Sequence, residues 1–204
     1  MRTSISQTVF ILLFTLGISH AIHAFEVGPI DLPHEISIDP NTPPLHLNGA
    51  GIRSDHLFID GYVGALYLNK TTHSAEGALL QFGAKRMHFH ILYPRTTADN
   101  YQKAWHFALN KNNSSESLEK LSSEVNQFLN AFNLPIKHGD IIDIDYLPTK
   151  GTRISINGQI IEEIESAPLF NALLNCWIGP FPVSESLKKQ LLGIKTHLGI
   201  QSTQ

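Results

Sequence analysis

Hydrophobic and polar positions follow two rhythms along this chain. Between Asp140 and Leu147 (DIIDIDYL) apolar and acidic residues alternate, with Ile142, Ile144 and Tyr146 on one face and Asp143 and Asp145 on the other. That is the two-residue period of a strand. Arg153 to Ile156 and Gln159 to Ile164 flank Asn157-Gly158, a dipeptide whose ease at positive φ makes it a strong hairpin signal. Leu57 to Leu68 (LFIDGYVGALYL) interleaves aromatic and β-branched residues with Gly61 and Gly64, predicting a kinked or bulged strand. Lys85 to Leu92 (KRMHFHIL) predicts another.

The second rhythm is helical. Thr96 and Asp99 have the spacing of a helix start, and Tyr101, Ala104, Trp105 and Ala108 recur on one helical face. After a break at Asn110 to Ser115, a second stripe runs through Leu118, Leu121, Val125, Phe128 and Phe132 and stops before Pro135. Leu169, Phe170, Leu173, Leu174 and Trp177 form a broad apolar face broken at Gly179 and Pro180, and Ser184 can cap a last helix ended by Gly193. Residues 25–44 carry five prolines, which predicts an extended lead with one strand near Glu35 to Ile38. Antiparallel strand runs with helices grouped between them read as α+β, a sheet under a helical layer.

Composition adds bounds. The chain has 204 residues, 42% of them hydrophobic, enough for one ordinary core. Residues 45–204 are therefore expected to form one domain. The formal charge of -3 and a pI near 6.4, with 15 Lys and Arg spread along the chain, provide no basic stripe for phosphates. Nucleic acid is not an expected partner. Arg2, an apolar run from Val9 to Ile18 and small residues at Ser19, Ala21 and Ala24 read as a secretory signal peptide over residues 1–24. Cleavage after Ala24 or Ala21 fits, and the apolar run is about ten residues, short of the roughly 20 that span a bilayer. A periplasmic or secreted location follows, with no membrane span after cleavage. Cys176 is the single cysteine, so no intramolecular disulfide can form. In its apolar surroundings (LLNCWIG) it reads as a small buried hydrophobe rather than a nucleophile.

Four segments carry a resemblance to a known family. LNGAGIRSDHLFIDGYVGALYL (47–68) resembles the opening strand pair of the chalcone-isomerase-like superfamily. It is followed in matching order by the Tyr-containing helix NYQKAWHFALNKN, the hairpin KGTRISINGQII and the ending CWIGPFPVSESLKKQLLG. The likeness is greatest to the bacterial exported branch and extends to plant chalcone isomerases and their fatty-acid-binding relatives. It implies an open-faced sandwich, a large antiparallel sheet under a layer of helices with a cleft between them.

The resemblance also implies a site. Plant chalcone isomerases use an Arg in a Gly-x-x-x-Arg stretch, a Thr on the next strand, a helical Tyr with an Asn seven residues on, and a late Thr. Here these fall on Arg53, Tyr62, Tyr101, Ala108 and Cys176. Arg53 and Tyr101 match; Tyr62 resembles the Tyr of the fatty-acid-binding branch; Ala108 and Cys176 have lost the polar group.

Closing a chalcone needs hydrogen-bond donors aimed at a developing oxyanion, and losing one such donor typically costs about 2.7–4 kcal/mol of barrier. Ala108 offers none from its side chain and Cys176 only a weak one. A carboxylate-binding role asks less: a planar guanidinium grips a carboxylate in a bidentate manner while phenols complete its hydrogen bonds. Arg53, Tyr62 and Tyr101 supply that set, with Trp105, Ala108, Leu173 and Trp177 as cleft walls. The expected ligand is a fatty acid or similar small apolar acid, with isomerase or lyase chemistry at Arg53 and Tyr101 as the alternative. A plainer role for Arg53 is an ion pair with Asp55 or Asp60 at a strand end. His88 and His90 share a strand face at a spacing that can chelate, but no third ligand follows, and solvent-facing histidines are the simpler account. No metal or cofactor is expected.

Overall fold

The structure, a computed structural model, describes residues 24–54 and 60–194. The predicted signal peptide, apart from Ala24, and the start of the predicted strand at Leu57 lie outside the described residues. The lead folds into a hairpin of β1 (Ala24–Val27) and β2 (Ile30–Pro33), turned at Gly28 with φ 59°, and continues into β3 (Glu35–Ile36). Then come β4 (Leu45–Ser54), β5 (Asp60–Leu68), α1 (Ala75–Leu80), β6 (Lys85–Ile91) and the short β7 (Arg95–Thr96). Helices α2 (Ala98–Asn112), α3 (Ser115–Lys120) and α4 (Ser122–Ala131) precede β8 (Ile136–Lys137), which pairs with β7. Strands β9 (Ile141–Leu147), β10 (Gly151–Ile156) and β11 (Gln159–Ile164) lead to α5 (Ala167–Ile178) and α6 (Glu185–Leu191).

Seven of these strands form one antiparallel sheet in the order β11-β10-β9-β6-β5-β4-β3. The α+β expectation of a large antiparallel sheet under helices is met. The hairpin forms at Asn157-Gly158, with φ 52° and 79°, as a type I′ turn requires. Two predicted boundaries shift. The cap of α2 is Thr97, whose hydroxyl accepts from the Asn100 amide at 3.2 Å, while Asp99 pairs with Lys103 one turn on. The second helical stripe is split at Leu121 into α3 and α4.

The two sheet faces are covered differently. One face presents Leu66, Met87, Phe89, Ile142 and Ile154 to α2, α4 and α5, whose Leu109, Phe128, Phe170 and Leu174 complete the main core. Full burial of such side chains stabilises by roughly 1.5–3 kcal/mol each. On the opposite face, Val63, Ala65 and Tyr67 meet Val27 and Leu32 of the lead, and the Tyr67 hydroxyl donates to the Pro33 carbonyl at 3.1 Å. Farther along this face lies a buried ionic layer. Asp145 receives both Arg86 and Arg153, Asp143 receives Arg86 and His88, and Arg153 also donates to the Ile38 carbonyl. His88 is thus partnered rather than simply solvent-facing, and its partner is a carboxylate of the neighbouring strand. Among the described residues no cluster of three or more His, Cys, Asp or Glu is placed to hold a metal.

Lys85 begins β6 almost fully buried, donating to the Leu79 carbonyl at the end of α1 at 2.7 Å and lying 5.6 Å from the Tyr146 ring centre. Lost hydration pushes its ammonium down to about 8 from an ordinary 10.5. The unfolded chain therefore binds this proton more tightly than the folded one. The wild type should therefore gain roughly 2 kcal/mol relative to Lys85→Met as pH climbs from about 8 to about 9.5. Urea titrations of both proteins across that window should show this widening difference, whereas a constant difference would mean that Lys85 titrates in the folded protein as it does in the unfolded chain.

Candidate functional site

A cavity of about 560 Å³ opens between α2, the ends of β5 and β6, the last turn of α5 and the segment 181–183. Its position follows from a break in strand pairing. Arg53 opposes Tyr62 and Ser54 opposes Asp60, so Gly61 has no partner between β4 and β5. This bulge bends the strand end, and the freed Gly61 carbonyl accepts from the amides of Leu92 and Tyr93 at 3.0 and 3.2 Å. A Cβ at Gly61 would crowd the Arg53 carbonyl at 3.2 Å and stand in ordinary contact with its guanidinium at 3.5 Å.

The guanidinium of Arg53 lies 5.9 Å from the Tyr62 ring centre. The Tyr62 oxygen accepts a 2.8 Å hydrogen bond from the Trp177 indole N–H. Since indole only donates, Tyr62 must be the acceptor there, and its own O–H is left to donate elsewhere. Behind it run packed rings: Tyr62 edge-on to Phe89 at 5.3 Å, Phe89 tilted on Trp177 at 4.9 Å and Trp177 edge-on to Trp105 at 5.1 Å. Such pairs fix one another's orientation. Tyr101 packs against Trp105 and Phe132. Burial pushes the Tyr62 and Tyr93 hydroxyls up to about 12, and raises Tyr101 further. All three are neutral donors at physiological pH, and none is a phenolate base.

All six sequence candidates, Arg53, Tyr62, Tyr101, Ala108, Cys176 and Trp177, line this one cavity. Trp105 lines it as well as packing in the core, whereas Leu173, an expected cleft wall, is buried among the helices and does not reach it. The Cys176 thiol is fully buried, points to the Ala172 carbonyl and is pushed up to about 12 by burial, which leaves no thiolate for chemistry. Asp55, the alternative partner of Arg53, and the side chain of Asp60 lie outside the described residues.

Sequence reasoning missed Arg95, Asn100, Lys111, Asn112 and Phe181. Lys111 and Asn112 were within reach of the helical period, standing three and four residues beyond Ala108. Asn112 restores an amide to the cavity wall one turn after the Asn that the family resemblance places at Ala108. Its capacity is already committed. The Nδ2 group donates to the carbonyls of Ala108 and Phe181 at 3.0 and 2.9 Å, and Oδ1 accepts from the Phe181 amide at 3.0 Å. Both N–H donors are used, so Asn112 does not replace the missing oxyanion donor. Arg95 and Phe181 come from segments whose approach to α2 no local pattern encodes.

The model of the family described as chalcone isomerase-like matches residues 24–193. The chain belongs to the chalcone isomerase-like family. The family match includes the lead hairpin, and with it the second covered face of the sheet. Among solved structures the chain is similar to a fatty-acid-binding protein of Arabidopsis thaliana, with a TM-score of 0.61 and 18% sequence identity over 82% of this chain and 95% of that one. At that identity the likeness establishes the shared fold. No curated sequence relative matches. Among the described residues, no helix is long and apolar enough to cross a membrane.

Proposed function

We propose that this family member is an exported, non-catalytic carrier or sensor of a small apolar acid, a fatty acid or similar amphiphile held between sheet and helices. The observation that carries the reading is the donation from Trp177 to Tyr62, which leaves the Tyr62 O–H to donate to a ligand, with the Arg53 guanidinium 5.9 Å from its ring centre. An anionic head would take hydrogen bonds from Arg53 and Tyr62, with Tyr101 as a further neutral donor, while Phe89, Ile91, Trp105 and Ala108 enclose the tail. Charge supports the same reading: among the described lining residues Arg53, Arg95 and Lys111 are cationic and none is acidic. The volume suits a small-molecule site, and the Arabidopsis neighbour is described as a fatty-acid-binding protein. Export rests on the signal-like pattern of residues 1–24.

Fatty acids should raise the melting temperature of the wild type. Arg53→Ala should weaken their binding by roughly 10- to 100-fold, the value of about 1.5–3 kcal/mol for hydrogen bonds to a charged group. Equal affinity in the two proteins, or purified protein that neither carries nor takes up lipid in native mass spectra, would overturn the proposal. A second reading, isomerase or lyase chemistry, has Arg53 and the Tyr101 donor in its favour. Loss of chalcone absorbance with wild type but not with Arg53→Ala would establish it.

A further inference from the structure

The mouth of the cavity carries apolar surface that the fold holds outward. Phe107 is 68% exposed and Phe181 58% exposed, although both line the same cavity. They come from different elements, α2 and the segment after α5. Asn112, itself buried, fixes one to the other through two hydrogen bonds to the main chain of Phe181. The backbone that carries the exposed Phe181 ring is therefore anchored at the cavity mouth by a buried side chain. Lys111, one turn beyond Phe107, lies over that ring with its nitrogen 5.8 Å from the ring centre. Arg95 adds a second cation to the cavity wall, with no carboxylate among the described lining residues.

Two exposed aromatic rings on anchored backbone, flanked by cations at the opening of an amphiphile pocket, have the chemistry of an interfacial membrane contact. Aromatic side chains settle at the level of lipid headgroups, and neighbouring cations are drawn to anionic ones. From this we propose that the Phe107–Phe181 rim docks the protein onto an anionic lipid surface, placing the cavity mouth where an acyl ligand enters or leaves. The inference rests on the amphiphile reading of the cavity. The rings enter the interfacial layer, Lys111 and Arg95 face the headgroups, and the ligand transfers without crossing bulk water.

The test is flotation of the mature protein with vesicles of phosphatidylglycerol and phosphatidylcholine in equal amounts, compared with phosphatidylcholine alone. Wild type should float with the anionic vesicles, and added salt should weaken the association because exposed charges are screened. Phe107→Ser/Phe181→Ser should lose at least about tenfold in partitioning, and Lys111→Gln a smaller factor. Circular dichroism of each variant checks the fold, which both exposed positions should tolerate. Arg53→Ala should still float, since Arg53 is assigned to the ligand head and not to the rim. Wild type that stays in the aqueous fraction, or a double serine variant that floats like wild type, would overturn docking. Flotation abolished by Arg53→Ala would also overturn it, because the vesicles would then be retained through lipid drawn into the cavity. A failure of fatty acids to bind in solution, with flotation intact, would instead count against the ligand reading alone.

Discussion

Asp145→Ala is expected to destabilise the protein by about 3–5 kcal/mol, the usual cost of leaving a buried charge without its partner. Asp145 is 1% exposed and accepts from Arg86 at 2.6 and 2.9 Å and from Arg153 at 2.6 and 3.2 Å. Removing it leaves two guanidiniums facing each other across β9 with only Asp143 to offset them. Arg86 already serves Asp143, at 3.1 Å, so the remaining carboxylate cannot neutralise both. For a domain of this size the loss corresponds to a fall in melting temperature of roughly 6–20 °C. Asp99→Ala is the control. Asp99 pairs with Lys103 on the exposed surface of α2, where such pairs contribute about 0.3–0.5 kcal/mol. Thermal denaturation of the two variants side by side decides the matter. If Asp145→Ala cost no more than Asp99→Ala, the layer between sheet and lead would be wet and the burial described above would be wrong.

Gly49→Ala should cost about 3–4 kcal/mol, although replacing a glycine lowers the entropy of the unfolded chain and on that ground alone would stabilise. The reason is how α6 lies on β4. A Cβ at Gly49 would be driven into the carbonyl oxygen of Gln190 and would stand 2.8 Å from that of Leu191. Backbone atoms cannot swing aside, so the helix end must lift, and overpacking of this kind costs about 1–3 kcal/mol. Lifting also strains the ties at that helix end. Asn48 donates to the Leu191 carbonyl at 2.7 Å, and His73 contacts the Leu192 carbonyl at 2.7 Å, each tie contributing about 1 kcal/mol. Gly51→Ala is the comparison, since its Cβ would meet the Gln190 side chain, whose amide end has other rotamers, leaving the 2.8 Å approach to the Gln190 Cβ to be relieved by a smaller shift of the helix. Urea unfolding should rank Gly49→Ala well below Gly51→Ala. The reverse order, or a stabilised Gly49→Ala, would show that α6 does not rest on this strand as described.

The glycines of the Gly-Ala-Gly stretch show how far a sequence reading reached. The motif was legible and carried the family resemblance, but its purpose, close approach of a helix end to a strand, is set by residues 140 positions away and could not be read locally. Arg53, Tyr62, Tyr101, Ala108, Cys176 and Trp177 could be named in advance because the resemblance fixes their order along the chain. Arg95 and Phe181 could not, because Arg95 sits on a two-residue strand and Phe181 in the connection after α5, both too short for periodicity to carry information. His88 was misjudged for a related reason: its partner, Asp143, lies on a strand 55 positions away. A strand's second face looks solvent-directed until the element covering it is known.

The sequence by itself determined the elements: the alternation over β9, the Asn157-Gly158 hairpin and the helical stripes of α2 and α5 depend on neighbours a few residues apart. Their chemistry is local, so local order suffices to read them. Only the tertiary structure decided that the lead would cover the sheet's second face, that Asp145 would join Arg86 to Arg153, and that Asn112 would hold Phe181 at the cavity mouth. Those choices join groups far apart in the chain. Strand register and helix docking place them, and both are settled by packing the whole core at once.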